Sequence, residues 1–335
     1  MSLTPTVSII MPAYNAADYI EDALRSALSQ THRELEIVVV DDGSTDNTAE
    51  LVKAIDDVRI RYLHQPNAGQ SAAINHGAEL STGQYIKILD ADDWISPPHI
   101  AAQVAALDDH PNCVASCRWG YFVSDFQQPA VNSEFTNASY DDPLEWIIDT
   151  LTKDEGMMGG WMWLIPRQLW QQAGGYDTRL SLNNDFHFTI NLLLQCSGIR
   201  YASDAVYSYR RIAGGSLSSS GGRKAMESAF LTTDLGTKLM LQREDSERVK
   251  KICANRFQER LFELYPAFPD LASQAQDRIQ SLGGSDVQLQ GGRLMKLLRP
   301  VIGWKGVRQI QQWIYRCGWQ QILKRKTDKR LAKFN

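Results

Sequence analysis

Short apolar runs alternate with segments of helical periodicity over the first 108 residues of the chain. Four of these runs predict buried strands, at 7–11, 36–40, 59–63 and 85–89. Three intervening segments keep apolar residues at helical spacing, one after Asn15, one after Asp46 and one over 70–80. Asn15 is a residue type that caps helices and is expected to do so, and Asp46 is expected to be a turn former or a helix cap. The alternation predicts a parallel sheet with helices on both faces.

Beyond residue 112 the pattern changes to a mixture of strands and helices. It predicts strands at 114–123 and 206–211, an extended aromatic segment at 159–165, and helices at 143–151, 166–173 and 185–196. A Gly- and Ser-rich stretch at 214–222 is typical of a linker or a mobile lid, and helical periodicity follows it. We therefore expect an α/β domain of residues 1–222 and a helical C-terminal region of residues 223–335.

Basic and acidic residues are unevenly distributed along the 335 residues. The net charge is −4, but residues 291–335 hold twelve Lys and Arg against one acid, whereas the remainder holds 23 against 38. No apolar run reaches 18 residues and no basic-then-apolar leader opens the chain, so we expect a cytoplasmic protein. Five scattered cysteines, with no second pair at ligand spacing, argue against a zinc site.

The basic C-terminal segment also has an amphipathic pattern. Its apolar residues at helical spacing after Gly303 are Val307, Ile310, Trp313, Ile314 and Cys317, and its basic residues on the opposite side are Lys305, Arg308 and Arg316. Such a helix, with Trp304 and Trp319 beside it, either lies on the anionic inner face of a membrane or packs on the α/β domain with its basic face in water. Nucleic acid is not expected as a partner, because the rest of the chain is acidic.

Polar residues follow three of the predicted strands: Pro12–Asn15, Asp41–Ser44 and Asp90–Asp93. In open parallel sheets, ligands bind at the carboxyl ends of the strands. One Asp alone at such a place is a turn former or a helix cap, but two acidic clusters at one edge repel each other unless a cation neutralises them. A divalent metal ion would do so, and would leave coordination positions for a diphosphate.

Several longer segments resemble the inverting family 2 glycosyltransferases of GT-A fold. They are VSIIMPAYNAADYIEDALRSALSQT, IVVVDDGSTDNT, NAGQSAAINHGAELSTGQYIKILDADD and GGYD, in this order over roughly residues 6–217. The resemblance implies a Rossmann-like, mostly parallel sheet covered by helices. It also implies transfer of a sugar from a nucleotide-sugar donor, with a DxD motif that binds Mn²⁺ or Mg²⁺.

The implied metal site lies directly after the fourth predicted strand. Asp90-Ala91-Asp92 matches the DxD motif of the family, so Asp90 and Ala91 belong to the donor site. By the same resemblance Asp92 is the metal ligand, and Asp93 supports it. Either Arg210 or Arg211, which match a late Tyr-Arg segment, can neutralise the diphosphate, although each taken singly is as well explained as a solvated basic residue. The histidine that usually follows in the family is replaced by Ile212.

The implied nucleotide site lies after the first two strands. Asp42 matches the acid that reads the uracil edge, and the turn around the base is matched by Pro12, Ala13 and Tyr14, whose ring can stack. The segment at 70–75, where the family often places an arginine near the diphosphate, holds no basic residue.

The implied catalytic base is Asp185. It matches the Asp of a Glu-Asp pair that opens a helix in the family, but Asn184 replaces the Glu. A helix cap is the competing interpretation of Asp185, and Asp154 and Glu155 are the next candidates for the base. Upstream, Trp161 and Trp163 are predicted to form a sugar-stacking wall for the acceptor, or else an aromatic core.

The resemblance therefore implies a metal-dependent inverting transferase that moves a sugar from a UDP-sugar to a hydroxyl of a saccharide or lipid-linked acceptor. Synthesis of cell-surface polysaccharide or glycoconjugate is the expected setting. A nucleotidyltransferase is an alternative, although a basic Gly-rich loop is missing after the first strand. A non-catalytic protein that binds nucleotide sugars is a second alternative, to which the replacement of the Glu by Asn184 gives some weight.

Overall fold

The computed structural model of the protein describes residues 5–122, 129–154, 156–211 and 222–314, with the side chains of residues 293 and 294 excepted. The chain divides into two compact units, Met1–Ile212 and Ala213–Asn335. Our domain boundary after residue 222 stays a prediction, because residues 212–221 lie outside the described part.

The first unit is built on one mixed sheet. Its strands are β1 (Val7–Ala13), β2 (Leu35–Asp41), β3 (Ile60–His64), β4 (Tyr85–Ile88), β5 (Trp94–Ile95), β6 (Cys113–Phe122), β7 (Ala130–Val131), β8 (Leu164–Pro166) and β9 (Gly198–Arg210). Its helices are α1 (Ile20–Leu28), α2 (Thr48–Ala54), α3 (Gln70–Leu80), α4 (His99–Ala106), α5 (Pro143–Thr152), α6 (Arg167–Ala173) and α7 (Asn184–Leu193), and a 3₁₀ turn spans Gly160–Met162.

The strand order is β3-β2-β1-β4-β8-β6-β9-β5, with β7 paired to β6. The half formed by β3, β2, β1 and β4 is parallel throughout. In register, Ala13 lies beside Asp41, and Ile10 lies beside Ile88. This register brings the three polar segments that follow β1, β2 and β4 to one edge of the sheet, as the sequence predicts.

The other half of the sheet mixes directions. Strand β8 is antiparallel to both β4 and β6, whereas β6 and β9 are parallel with a register shift after Cys117. The sequence predicts the last of these strands only from residue 206, but β9 begins at Gly198. Its first part has no clean alternation of apolar and polar residues, so pairing with β6 rather than local pattern makes it a strand. The predicted α/β fold with a helical extension is confirmed, with a sheet that is mixed rather than mostly parallel.

Asn15 does not cap a helix, contrary to our prediction. Helix α1 begins at Ile20, and Asn15 has a left-handed backbone with φ of 49°. Its side-chain oxygen accepts a hydrogen bond from the Thr45 amide over 2.7 Å, so it ties the turn after β1 to the turn after β2. Asp46 is a turn former rather than the cap: its carboxylate accepts from the Thr48 amide over 3.0 Å, whereas the N-cap position of α2 is held by Asn47.

The second unit is helical, with α8 (Arg223–Arg243), α9 (Glu247–Leu264), α10 (Pro269–Ser281) and α11 (Arg293–Ile314). Apolar side chains of α9 and α10 form its core. Gly303, with φ of 68°, breaks α11 into two helical segments. Within the described residues, a bilayer-spanning helix of sufficient length and hydropathy is not found.

The amphipathic tail packs on this second unit through part of its predicted apolar face. Trp304 contacts the α9–α10 core, and Val307 is buried. Trp313, assigned to the same face, is 67% exposed. The predicted apolar face is therefore divided between packing and solvent. The predicted positions of Arg316, Cys317 and Trp319 lie outside the described residues.

Candidate active site

The acidic loop after β4, residues 89–93, forms the centre of the site. The Leu89 amide donates to the Ile10 carbonyl over 3.0 Å, which extends the β1–β4 pairing up to the first carboxylate. Asp90 accepts a hydrogen bond over 3.0 Å from the side-chain amide of Gln70, the first residue of α3. Burial raises the pKa of Asp90 to about 8, and the charges of Asp92 and Asp185 add to this effect. Three carboxylates from two parts of the chain therefore share one electrostatic environment.

Asp93 points into the protein. Its two carboxylate oxygens accept hydrogen bonds from the Tyr207 hydroxyl over 2.8 Å and from the Arg210 amide over 2.7 Å. Burial, together with the charges of Asp92 and Asp90, raises its pKa well above the ordinary value. Asp93 thus joins the acidic loop to β9, and the partly exposed Asp92 is the carboxylate of the pair that is open to a ligand. Burial raises the pKa of Asp92 as well.

The side chain of Arg210 is largely buried. Its guanidinium group donates to the Asp92 main-chain oxygen over 2.6 Å and pairs with Asp22 over 3.3 Å. It also lies 4.9 Å from the ring centre of Tyr19 and 4.6 Å from that of Phe122. Arg210 therefore fixes the acidic loop, whereas the exposed Arg211 lies on the ring of Tyr121. Of the two, Arg211 has the accessible charge. Ile212 lies outside the described residues.

Asp42 organises the turn that begins α3. One of its oxygens accepts from the Gln65 side chain and the Ala68 amide, over 2.7 and 2.8 Å, and the other accepts from the Gly69 amide over 2.8 Å. Its own amide donates to the Ala13 carbonyl over 2.8 Å. Asp42 is thereby placed beside the Pro12–Ala13 end of β1, next to Tyr14, whose side chain is 53% exposed. The structure brings together the residues predicted for the nucleotide.

Asp185 lies in the first turn of α7. Its Oδ1 atom accepts hydrogen bonds from the Tyr176 hydroxyl over 2.6 Å and from the Gly160 amide over 3.1 Å. Burial raises the pKa of Asp185, and these two hydrogen bonds oppose that rise. The neighbouring Asn184 donates to the Ser71 hydroxyl over 3.0 Å, which attaches α7 to α3. A buried carboxylate with defined donors is a suitable proton acceptor.

For Trp163 the structure favours the alternative of an aromatic core over the predicted acceptor wall. Its side chain is 0% exposed and packs edge-on against Trp146 at 5.0 Å, so it belongs to the aromatic core. Trp161 is 3% exposed and stacks on Tyr207 at 4.3 Å. Because Tyr207 bonds Asp93, Trp161 supports the acidic loop from behind. Neither indole offers an open face to a sugar in this structure.

Sequence reasoning missed Lys87, a cation buried directly behind the site. It is 0% exposed, and its ammonium group donates to the Trp161 carbonyl over 2.6 Å. Burial lowers its pKa to about 8. The available signal was the single charge inside the apolar run YIKIL, which a strand that is buried on both faces does not ordinarily tolerate.

The carboxylates of the acidic loop fit a hard cation by their chemistry. Their oxygen atoms are the ligands that Mg²⁺ and Mn²⁺ prefer, and their mutual repulsion is relieved by positive charge. Among the described residues, no group of three or more His, Cys, Asp or Glu side chains is arranged as a metal cage. A cation here would therefore take its further ligands from a substrate and from water, as Mg²⁺ commonly does beside phosphates.

Comparison with known proteins relates part of this chain to a family. The model of "Glycosyl transferase family 2" matches residues 8–170. An uncharacterized glycosyltransferase, YibD of Escherichia coli K12, is 42% identical over 120 residues, which is 35% of this chain and 35% of YibD. One from Rickettsia felis is 33% identical over 192 residues, 56% of this chain and 31% of that protein. The chain therefore spans only about a third of the length of these two relatives.

Two solved structures share the fold. S. aureus TarS 1–349, in complex with UDP-GlcNAc, has a TM-score of 0.66 and 21% sequence identity, covering 93% of this chain and 92% of that chain. The mannosyltransferase PcManGT from Pyrobaculum calidifontis, in complex with GDP-Man and Mn²⁺, has a TM-score of 0.54 and 18% identity over 96% of this chain and 88% of that chain. Residues 8–170 therefore resemble glycosyl transferase family 2, and the chain has the fold of these two solved structures.

Proposed function

We propose that this protein is a glycosyltransferase that moves a sugar from a UDP-sugar to an acceptor hydroxyl, with inversion at the anomeric carbon. The observation that carries the proposal is the attachment of both sites to adjacent residues of α3: Gln70 donates to Asp90 over 3.0 Å, and Ser71 accepts from Asn184, the neighbour of Asp185, over 3.0 Å. It joins one carboxylate suited to proton transfer to an acidic loop suited to a metal-bound diphosphate. A single displacement with inversion needs these two functions on opposite sides of the reacting carbon.

The donor side of the proposal rests on Asp92 and the three strand ends. We assign Asp92 as the ligand of a divalent cation, Mn²⁺ or Mg²⁺, with Asp93 and Arg210 holding its loop. A bound cation would supply positive charge to the leaving diphosphate. Asp90 and Ala91 belong to the same loop. Arg211 offers a further positive charge to the diphosphate. The complexes of TarS with UDP-GlcNAc and of PcManGT with GDP-Man and Mn²⁺ support a donor of this class.

The nucleoside is assigned to the turns after β1 and β2. Pro12, Ala13 and the exposed ring of Tyr14 surround the base, and Asp42 lies beside them. The amides that Asp42 accepts from belong to residues 68 and 69. Oδ1 of Asp42 already accepts two hydrogen bonds, whereas Oδ2 accepts one and has a second lone pair for an N–H group of uracil.

The acceptor side rests on Asp185 as the general base. Both of its described hydrogen bonds reach Oδ1, so we assign Oδ2 to receive the proton of the acceptor hydroxyl as that oxygen attacks. The alternative base Asp154 is less suitable, because its carboxylate accepts hydrogen bonds from the amides of Phe135 and Thr136 over 2.9 and 3.1 Å. The other candidate, Glu155, lies outside the described residues.

The proposal is tested with a panel of nucleotide sugars and Mn²⁺. We expect metal-dependent release of UDP from one donor, faster when a suitable saccharide or lipid-linked acceptor is present, and a product of inverted anomeric configuration by NMR. Release of pyrophosphate when a nucleoside triphosphate and a sugar 1-phosphate are supplied in place of the nucleotide sugar would indicate a nucleotidyltransferase. Binding without turnover of any donor would indicate a non-catalytic protein that binds nucleotide sugars.

We further propose that the second unit contacts an anionic membrane surface at the inner face of the membrane, convenient for a lipid-linked acceptor. Leu297 and Val301, one helical turn apart in α11, are 73% and 81% exposed, and Lys296 is exposed beside them. Residues 315–335 add seven Lys and Arg against one acid. Exposed apolar side chains among basic residues are typical of helices that lie on anionic lipid.

Sedimentation with phosphatidylserine-containing vesicles at low salt tests this contact. The double variant Leu297→Glu/Val301→Glu should stay in the supernatant where the parent pellets. Val58→Glu, at a fully exposed apolar residue of the first unit, is the matched control and should pellet like the parent. Equal sedimentation of parent and double variant would contradict the assignment.

A further inference from the structure

Tyr176, in the turn between α6 and α7, makes a buried contact with the assigned base. Its hydroxyl donates to Asp185 Oδ1 over 2.6 Å, and the residue is only 3% exposed. Its ring is stacked on Phe188 of α7 at 4.0 Å between centres and 13° between planes. Stacking and the hydrogen bond both connect Tyr176 to α7, so the hydroxyl has one defined position relative to the carboxylate.

The backbone of Tyr176 is fixed from α3. The Asn75 side chain accepts from the Tyr176 amide over 2.8 Å and donates to the Tyr176 carbonyl over 2.8 Å. The same helix contributes Gln70, which donates to Asp90. Helix α3 thus connects the acidic loop to the turn that carries Tyr176.

Gly160 provides the space for the hydroxyl. A Cβ atom at this position would lie 1.8 Å from the Tyr176 hydroxyl oxygen and 3.0 Å from Asp185 Oδ1. The Gly160 amide is also the second donor to Oδ1. A side chain at 160 would therefore push the Tyr176 hydroxyl away from the carboxylate, and it would also lie 3.1 Å from the ring carbon that bears the hydroxyl.

We propose that Tyr176 is a positioning residue for Asp185: its hydrogen bond holds Oδ1 in place and keeps the carboxylate ionised while Oδ2 takes the acceptor proton. This inference rests on the proposed function, in which Asp185 is the base. The sequence signal is the hydroxyl of Tyr176 in the GGYD turn.

The groups around Asp185 determine how loss of the Tyr176 hydroxyl should change its ionisation. Asp90 faces it from the acidic loop, and Tyr176 and Gly160 face it as donors. Burial and the nearby Asp185 keep the Tyr176 hydroxyl protonated by raising its pKa well above the ordinary value, so it remains a donor throughout the working pH range. Removing this donor leaves burial to disfavour the ionised form of Asp185.

The test compares Tyr176→Phe with Tyr140→Phe. Tyr140 donates to the Asp149 carboxylate over 3.0 Å away from the site, so the control removes the same group in the same kind of contact. In Tyr176→Phe the acid limb of the kcat–pH profile should move upward by about one to two pH units, the value of a hydrogen bond to a charged group. The loss of rate should be greatest at low pH, and the donor KM should stay near the parental value. Tyr140→Phe should reproduce the parental profile.

An acid limb at the parental pH, or a loss of rate that is equal at all pH values, would overturn the proposal, because a structural defect is not relieved by raising the pH. Gly160→Ala perturbs the same hydrogen bond and should shift the limb in the same direction. It decides the question if Tyr176→Phe does not fold. A parental profile in Tyr176→Phe together with an inactive Asp185→Asn contradicts the positioning role alone, whereas an active Asp185→Asn contradicts the proposed function.

Discussion

Arg210 of β9 donates a hydrogen bond to the main-chain oxygen of Asp92 over 2.6 Å, and its own amide donates to the Asp93 carboxylate over 2.7 Å. Arg210 therefore holds two consecutive residues of the acidic loop. It binds the main chain of Asp92, the assigned metal ligand, and the carboxylate of Asp93. The acidic loop is fixed from β9 while the Asp92 carboxylate stays available.

Arg210→Ala should weaken both stability and donor binding. The buried guanidinium makes a hydrogen bond and an ion pair, and hydrogen bonds to charged groups contribute about 1.5–3 kcal/mol each. We expect a loss of about that size in the free energy of unfolding, measured in urea, and weaker UDP binding by calorimetry. Arg211→Ala is the control: its exposed side chain should affect UDP affinity without a loss of stability. Equal stability of both variants would show that Arg210 does not fix the loop.

Lys87 should make the free energy of unfolding increase with pH above pH 8. Its folded-state pKa of about 8 lies below the unfolded value of 10.5, so burying the charged form costs stability at pH below 8. Between pH 8 and 10.5 the unfolded chain binds the proton and the folded one does not, so this cost is relieved as pH rises. Relative to Lys87→Met, the parent should gain about 1.4 kcal/mol per pH unit in this window. Urea titrations at pH 7.5 and 9.5 measure the difference, and parallel curves would contradict the assignment.

Trp163→Ala should act on stability and not on substrate recognition. The indole is fully buried against Trp146, so its removal leaves a cavity and should cost about 3–5 kcal/mol in unfolding free energy. Chemical denaturation gives this value directly. A variant with parental stability and a raised acceptor KM would restore the sugar-stacking interpretation.

Tyr14→Ala should weaken nucleotide binding and leave stability almost unchanged. The ring is half-exposed, so stability should change by less than about 0.5 kcal/mol, while loss of stacking should weaken UDP binding by about 0.5–1.5 kcal/mol. Tyr14→Phe keeps the ring and serves as the control. Calorimetry with UDP measures both, and unchanged affinity in Tyr14→Ala would move the nucleoside away from this turn.

The sequence predicts the parallel half of the sheet well because each strand there is a self-contained apolar run between helices. Helix α3 was predicted at 70–80 and spans Gln70–Leu80. The cluster of acids at one edge follows from topology alone. By contrast, the roles of individual side chains depend on partners distant in sequence, such as Tyr207 for Asp93 and Asp22 for Arg210. No local pattern encodes these contacts.

The aromatic segment shows the same limit. Trp161 and Trp163 are separated by one residue and look equivalent in sequence, yet one stacks behind the acidic loop and the other lies in the core beside Trp146. The 3₁₀ turn at Gly160–Met162 changes the direction of the chain between them. Tyr176 was visible in the sequence, but its contact with Asp185 requires the turn to be folded onto α7.

The most direct test of the account is the turnover of Asp185→Asn on the donor identified in the nucleotide-sugar panel, measured beside its affinity for UDP and Mn²⁺. The amide keeps the shape of the side chain and an acceptor for Tyr176 and Gly160, but it cannot take a proton. We expect kcat to fall by about 10²–10⁴-fold, the usual contribution of acid–base assistance, with UDP affinity and melting temperature retained. Sugar transfer at close to the parental rate would contradict the account, because the base would then lie elsewhere.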